Sequence, residues 1–140
     1  MKIKNVMIEP LMNFLMKFEL KGKESRLRTR FVKLLNEHQN QLQNDNYELI
    51  KEYANLDEQG EPKQIQRGEK FHYDINAEKR SEYNNEYILL MEEHCIIDEN
   101  ESHKELLLFI KELILNCDMT FKGREAMEYD LYCEVFESIE

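Results

Sequence analysis

The sequence predicts a mainly α-helical protein, and three observations carry that prediction. Only four glycines and two prolines occur in 140 residues, which leaves few turns and favours long helices over a many-stranded sheet. Apolar residues recur every three or four positions over long stretches, which is the period of an amphipathic helix. The chain is 41% hydrophobic and 34% charged, so we expect a single domain over residues 1–140 with a strongly hydrated surface. The predicted architecture is a long antiparallel helical hairpin plus C-terminal helices, with a small two-stranded β-ribbon.

The first predicted helix covers residues 9–20. Proline fits the first helical position because its missing N–H would be unpaired there anyway, so Pro10 marks the start. Gly22 is expected to end this helix, and Ser25 to cap a long helix over residues 25–57. The long helix has only a thin apolar stripe, so a partner helix must cover it. The stripe runs through Leu27, Phe31, Leu34, Leu35, His38, Leu42, Leu49, Tyr53 and Leu56.

The middle of the chain is predicted to form a loop, two short strands and a helix that packs against the long helix. Residues 58–70 hold Gly60, Pro62 and Gly68 and almost nothing apolar, so they are predicted to form a connecting loop. FHYDI (71–75) alternates apolar and polar residues as a short strand does. A helix over residues 77–93 is expected to pack against the long helix. HCIID (94–98) is predicted to be a second strand that pairs with residues 71–75.

Two further helices are predicted at the C-terminus. Ser102 stands three residues before Glu105 and just ahead of an apolar run, a capping-box pattern that begins a helix over residues 102–117. This helix is apolar nearly all round and is predicted to be the buried central one. Thr120 is expected to cap the last helix, residues 121–138.

The charge is distributed unevenly along the chain. The formal net charge is −10, but residues 1–33 hold nine basic and three acidic residues, a net charge of +6. The first candidate interaction surface is therefore a basic stripe, predicted to be a solvated helix face or a match for acidic helices of the same chain rather than a nucleic-acid site. Its members are Lys21, Lys23, Arg26, Arg30 and Lys33.

Known catalytic and cofactor signatures are absent from the sequence. Four scattered glycines do not form a phosphate-binding loop, and no Cys or His pair has the spacing of a metal site. Cys95, Cys117 and Cys133 are widely spaced and odd in number, which favours reduced thiols in a cytosolic protein. No long apolar run and no signal peptide are evident. We expect a protein that is not an enzyme and has no cofactor, no metal and no membrane contact.

Four segments resemble a family of unknown function from phages and prophages of Gram-positive bacteria. They are FLMKFELKGKESRLRTRFVKLL (14–35), LIKEYANLDEQGEP (49–62), SEYNNEYILLMEEHCIID (81–98) and GREAMEYDLYCEVFE (123–137). In that family an LKGK-x-SR element opens the long helix, and an EA-x-x-YD-x-LCE-x-FE helix ends the protein. Tyr83 stands where the family tends to have Phe. The resemblance implies a protein in the cytoplasm of an infected or lysogenic bacterium, and it implies no activity.

Three functions remain open from the sequence. The favoured one is a non-enzymatic protein-binding module that modulates a host or phage protein, with inhibition of a host-defence nuclease such as a CRISPR effector as its sharpest form. The alternatives are a virion or assembly accessory that forms a homo-oligomer through the long helix, and a nucleic-acid-binding regulator that uses the basic stripe. The favoured function would use an acidic surface to occupy a basic groove. The candidates for it are Glu92, Glu93, Asp98, Glu99, Glu125, Glu128, Asp130, Glu134 and Glu137.

Overall fold

The structure, a computed structural model, describes residues 1–140 and confirms a mainly α fold, with 63% of the residues helical. It contains five α-helices and two separate two-stranded antiparallel ribbons. No helix has the length and apolarity needed to cross a bilayer. In chain order the elements are β1 (Lys2–Lys4), α1 (Asn5–Leu15), α2 (Gly22–Tyr53), β2 (Gln64–Arg67), β3 (Lys70–Tyr73), a 3-10 turn (Ala77–Lys79), α3 (Arg80–Glu92), β4 (His94–Ile96), α4 (Glu101–Leu115) and α5 (Arg124–Glu137).

The chain forms two compact units. Unit 1 comprises Met1–Gln39 and His94–Glu140, and unit 2 comprises Asn40–Glu93. Helix α2 contributes its first part to unit 1 and its last part to unit 2. The buried apolar residues lie almost entirely in unit 1, so unit 2 has much less buried apolar surface to stabilise it.

The core of unit 1 is built from the buried faces of four helices and one ribbon. Phe31 of α2 is fully buried, and its ring meets Phe136 of α5 at 5.8 Å between centroids. Phe14 of α1 contacts the rings of Tyr129 and Tyr132 at 5.9 and 5.3 Å. Helix α4 buries one face only, since Leu108 is 36% exposed, rather than being buried all round as predicted. That face consists of Leu106, Leu107, Ile110 and Ile114.

The predicted pairing of residues 71–75 with residues 94–98 is wrong. Strand β4 pairs with β1, with Ile3 opposite Cys95, and β3 pairs with β2. Both Ile3 and Cys95 are buried while their strand neighbours are exposed. One face of the β1–β4 ribbon therefore packs against the core of unit 1 through these two residues. Alternation in a short segment reveals a strand but not its partner, because the partner is fixed by distant packing.

Helix α1 begins earlier and ends earlier than predicted, at Asn5 and Leu15. Pro10 lies inside the helix, not at its first position. Proline removes the hydrogen bond to the carbonyl four residues earlier, that of Val6, whose residue is 48% exposed and open to water. Burial of Ile8 and Leu11 on the same helix offsets that loss.

Helix α2 also begins earlier than predicted, at Gly22, which has a φ of +58° that only glycine adopts without strain. Ser25 therefore lies within the helix and does not cap it. The helix ends at Tyr53, four residues before the predicted end. Its stripe is buried at Leu27, Phe31, Leu35 and Leu42, and Ile50 is buried in place of the predicted Leu49.

Arg28 is the buried charged residue of the protein, and it faces the end of helix α1. Its guanidinium donates hydrogen bonds to the carbonyl oxygens of Leu15, at 3.3 Å, and of Phe18. Unpaired carbonyls at a helix C-terminus carry partial negative charge, so a cation there both satisfies and stabilises them. Arg28 thus fixes the α1–α2 corner of unit 1.

Replacing Arg28 with methionine is expected to destabilise unit 1 by about 1.5–3 kcal/mol, the usual worth of hydrogen bonds to a charged group. Urea unfolding followed by circular dichroism measures the change. Arg26→Met is the matched control, because Arg26 is exposed and forms no ion pair, and it should stay within about 0.5 kcal/mol of the wild type. Equal stability of the two variants would contradict this role for Arg28.

Two tyrosines make unit 1 sensitive to alkali. Burial raises the pKa of Tyr132 to about 12, with a further contribution from Glu128, and burial also raises the pKa of Tyr129 to about 12, together with a hydrogen bond to Cys133. The fold therefore favours the neutral phenols. Their contribution to stability is complete below the unfolded pKa of about 10 and is lost as the pH rises from there towards 12.

The free energy of unfolding is therefore expected to fall between about pH 10 and about pH 12. Urea unfolding across this range measures it. Tyr132→Phe removes one of the two groups and should reduce the pH dependence. An unfolding free energy that is constant across this range in the wild type would contradict the prediction.

The last two helices begin later or are capped differently than predicted. Asn100, not Ser102, caps α4: its side chain accepts a hydrogen bond from the backbone N–H of His103, and the Ser102 hydroxyl donates to it. Helix α5 begins at Arg124, directly after Gly123, whose φ of +59° sets the turn in place of a cap at Thr120.

Unit 2 combines the end of α2 with a β-hairpin and with helix α3. The hairpin occupies residues 64–73, so the predicted loop over residues 58–70 contains strand β2. Gly68 and Glu69 form its two-residue turn, and Gly68 has a φ of +67° while Glu69 does not have a positive φ. This is the glycine-first pattern of a type II′ hairpin turn.

Helix α3 runs back along α2, as the predicted helical hairpin requires. The backbone N–H of Asn76 donates to the carbonyl of Tyr53 at 2.9 Å, which places the start of the return beside the end of α2. The Tyr83 hydroxyl then reaches the side-chain oxygen of Asn46, two turns earlier on α2, at 3.3 Å. The predicted antiparallel hairpin is therefore present within unit 2.

Candidate interaction surfaces

The five residues of the basic stripe all lie in unit 1 and are all exposed. Lys23 forms an ion pair with Glu105 of α4, so one member of the stripe matches an acidic residue of the same chain. Lys21 lies in the α1–α2 corner, in a depression next to Phe18. Arg26, Arg30 and Lys33 form no ion pair.

Arg30 and Lys33 come together at one groove of unit 1. It lies between α2 and α4, has a volume of about 280 Å³, and has leucines from both helices, Leu27, Leu34 and Leu106, in its wall. His103 lines its end. No Phe or Tyr lines the groove, so His103 is the one ring there on which a nucleic-acid base could stack.

The candidate acidic residues are scattered, and several have partners within the chain. Glu99 pairs with the amino group of Met1 at 2.8 Å, Glu125 lies 3.7 Å from Lys17, and Glu128 is 3.0 Å from Arg124. The carboxylate of Asp98 forms no ion pair, and the backbone carbonyl of Asp98 lies 2.8 Å from Nδ1 of the His103 side chain. Glu92 and Glu93 lie in unit 2, at the end of α3.

Helix α5 carries three of the acidic candidates that form no ion pair, Asp130, Glu134 and Glu137, and all three are exposed. Met127 and Leu131 lie on the same helix and are 72% and 44% exposed. The structure thus divides the predicted acidic surface between the two units and leaves α5 as its densest part.

A groove in unit 2 was not anticipated from the sequence. It lies between the β-hairpin and the two helices of the unit and has a volume of about 420 Å³. We refer to it as the aromatic groove, because one phenylalanine and three tyrosines line it, together with two arginines. These residues are Phe71, Tyr73, Tyr83, Tyr87, Arg67 and Arg80.

Hydrogen bonds hold the hairpin in place at the base of this groove. The backbone N–H of Asn55 donates to the carbonyl of Asp74 at 2.9 Å, and the N–H of Lys63 donates to the carbonyl of Asn55 at 2.8 Å. The Asn55 side chain also donates to the Asp74 carboxylate at 3.0 Å and accepts from the side chain of Asn76. Residues 54–56 therefore clamp both ends of the hairpin.

Tyrosine rings build the helical wall of the groove. Tyr83 contacts Tyr53 of α2 at 6.2 Å and stacks on Tyr87 at 6.1 Å between ring centroids. Burial raises the pKa of Tyr83, so its hydroxyl stays protonated and donates to Asn46. Next to the groove, the Tyr47 hydroxyl donates to Glu61, a bond that raises the pKa of Tyr47 to about 12.

The sequence held one signal for this groove. Tyr83 and Tyr87 stand four residues apart on α3, and such spacing places two rings on one face of a helix. The sequence predicts that the helix carrying both rings packs against the long helix, and the structure gives Tyr83 that role but leaves Tyr87 37% exposed.

The cysteine, histidine and acidic side chains are not grouped into a metal site or a reactive-thiol site. The three cysteines are free, and no group of three or more His, Cys, Asp or Glu side chains is arranged to hold a metal ion. Burial raises the pKa of the Cys95 thiol, and it also raises that of Cys133. Comparison of the chain with protein-family models, with curated proteins and with solved structures finds no match.

Proposed function

We propose that the protein is a non-catalytic protein-binding module that contacts its partner through unit 2. The imbalance between buried and exposed apolar side chains in this unit supports the proposal. Only Leu42, Ile50 and Ile75 are buried among its large apolar residues. Twice as many are exposed: Leu56, Ile65, Phe71, Tyr87, Ile88 and Leu89.

Leaving these apolar side chains in water costs free energy, and burying them against a partner would favour binding by a similar amount. Burying apolar surface contributes roughly 25 cal/mol per Å², and a large apolar side chain therefore about 1.5–3 kcal/mol. Phe71 is 63% exposed at the centre of a hairpin whose strands are almost wholly exposed. Isolated exposed apolar residues are ordinary, but three of these six, Ile65, Phe71 and Tyr87, line one groove, and such a group is typical of a protein-binding surface.

The resemblance to phage and prophage proteins adds a context for the partner. In that context the module binds a host or phage protein and alters its activity, and an inhibitor of a host-defence effector is the sharpest form of the proposal. The net charge of −10 suits a partner with a basic surface, because opposite charges increase the association rate. The acidic helix α5 would add to that long-range attraction.

The proposal is tested by affinity capture from an extract of a Gram-positive bacterial host, followed by quantitative mass spectrometry. The wild-type chain should enrich one protein or one complex. Phe71→Glu should reduce its recovery by about tenfold or more, since it places a charge in the apolar contact. Met127→Glu is the control, because Met127 is exposed but lies in unit 1.

Two outcomes would contradict the proposal. One is that no protein exceeds the background recovered by an unrelated acidic bait. The other is that the recovered protein binds Phe71→Glu normally and is lost with Met127→Glu, which would move the interface to α5. Circular dichroism of each variant separates a lost contact from a lost fold.

A further inference from the structure

We propose that the aromatic groove of unit 2 accepts an extended segment of a partner protein that carries a carboxylate next to a large apolar side chain. This inference rests on the proposed function, because it names the chemistry of the partner at the surface assigned to it. Three features of the groove support it: a free strand edge, an apolar wall, and two arginines that form no ion pair.

The free strand edge determines the conformation of the segment. Strand β3 belongs to a two-stranded sheet, so one of its edges has no neighbouring strand. The groove borders this strand, since Phe71, His72 and Tyr73 line it together with Ile65 and Arg67 of β2. An unpaired edge offers backbone N–H and C=O groups, and an extended segment can add to it as a further strand.

The apolar wall selects a large apolar side chain on that segment. Ile50 and Ile75 are buried at the groove, while Ile65 and Phe71 are exposed along it. The stacked rings of Tyr83 and Tyr87 complete the wall on the side of α3. Aromatic walls of this kind bind aromatic and aliphatic side chains through burial and ring contacts.

The charges of the groove select an acidic residue. Thirteen of the 54 residues of unit 2 are Asp or Glu, but none of the eleven residues that line the groove is acidic. Arg67 and Arg80 are both exposed there and form no ion pair. Asp74 directly follows Tyr73, which lines the groove, but its carboxylate accepts a hydrogen bond from the Asn55 side chain. The guanidinium groups are therefore free for a carboxylate of the partner, the anion that arginine binds in bidentate geometry.

Single-stranded nucleic acid is the alternative occupant, because it also binds aromatic rings and arginines. The electrostatics of the unit oppose it. Unit 2 holds six basic and thirteen acidic residues, a net charge of −7, within a chain of net charge −10. A polyphosphate backbone needs a basic field over many nucleotides, whereas one carboxylate beside an apolar anchor needs only the local pair of arginines.

The test selects binders from a displayed library of random dodecapeptides on the purified full-length chain, and titrates the enriched peptides in solution. We expect enriched peptides to carry Asp or Glu close to an aromatic or large aliphatic residue. The double variant Arg67→Glu/Arg80→Glu should weaken them by about tenfold or more, because it removes the charge-assisted hydrogen bonds to the carboxylate and places two like charges beside it. Lys79→Glu is the control, since Lys79 is exposed and nearby but does not line the groove.

A second version of the best peptide, with N-methyl groups on alternate backbone nitrogens, tests addition to the strand edge. N-methylation removes backbone donors without changing side chains, so the modified peptide should bind at least about tenfold more weakly. Equal binding of the modified peptide would overturn the strand-addition part of the inference.

Other outcomes would overturn the inference as a whole. They are the absence of enrichment, enrichment of basic or neutral peptides, equal binding to the double variant, and binding of an oligothymidine instead of peptides. Failure here is distinguishable from failure of the proposed function. If the captured protein is lost with Phe71→Glu but retained by Arg67→Glu/Arg80→Glu, the module binds a protein and only the acidic chemistry of the segment is wrong.

Discussion

Replacing Phe31 with alanine is expected to destabilise unit 1 by about 3–5 kcal/mol, the usual cost of removing a buried aromatic ring. Phe31 is fully buried, and its ring contacts Phe136, so the substitution leaves a cavity between α2 and α5. Small domains have a total stability of about 5–15 kcal/mol, so this loss removes a large part of it. Thermal and urea unfolding of the purified variant measure the change.

Met127→Ala is the matched control for Phe31→Ala. Met127 is 72% exposed, so its truncation should change the stability by no more than about 0.5 kcal/mol. Loss of less than about 1 kcal/mol in Phe31→Ala would mean that the apolar core of unit 1 is not packed around this ring.

Replacing Tyr83 with alanine is expected to cost unit 2 about 2–3 kcal/mol and to abolish partner binding. The ring is half-buried and contacts two other tyrosines, and each aromatic contact adds about 0.5–1.5 kcal/mol to the burial term. Because unit 2 buries only three large apolar residues, it has little other packing with which to hold α3 against α2. Hydrogen exchange of the amides of α3, together with urea unfolding, measures the effect.

Tyr83→Phe separates the ring from its hydroxyl. It keeps both ring contacts and removes only the hydrogen bond to Asn46, so it should cost about 1 kcal/mol and leave partner binding largely intact. If alanine and phenylalanine at this position have the same effect on stability, the ring does not hold the helical hairpin together.

The helices were predictable because their signal is periodic and local. The stripe of α2 through Leu27, Phe31 and Leu35 follows directly from residue spacing and is buried. The apolar residues of α4 occur nearly all round the helix, so their spacing did not show which face the core covers. The ends of helices were less predictable. Pro10 can lie inside α1 because packing of its neighbours outweighs one missing hydrogen bond, and Gly123 sets the start of α5 through its backbone conformation.

The pairing of the strands and the position of the aromatic groove could not be predicted from local sequence patterns. Strand β2 holds a single apolar residue, Ile65, so its sequence is that of a loop, and only the turn at Gly68 pairs it with β3. The partner of β4 is β1, at the other end of the sequence, and no local period encodes that choice. Tyr87 of α3 and Phe71 and Arg67 of the hairpin line one groove only because β2 pairs with β3.

The predicted basic stripe illustrates how a surface hypothesis changes once the neighbours are known. Lys23 is matched by Glu105 within unit 1, and Arg30 and Lys33 lie beside leucines rather than aromatic rings. The combination of rings and arginines that the stripe lacked occurs in unit 2 instead. The protein-binding proposal therefore rests on unit 2 and not on the residues that the charge pattern first indicated.

Hydrogen–deuterium exchange of the chain, alone and saturated with the captured partner, tests the central claim most directly. The account predicts that partner binding slows exchange in residues 64–73 and in the first turns of α3, where the aromatic groove lies. Exchange in α4 and α5 should remain as it is in the free chain. Slower exchange confined to α4, α5 or the basic stripe, with residues 64–87 unchanged, would contradict it.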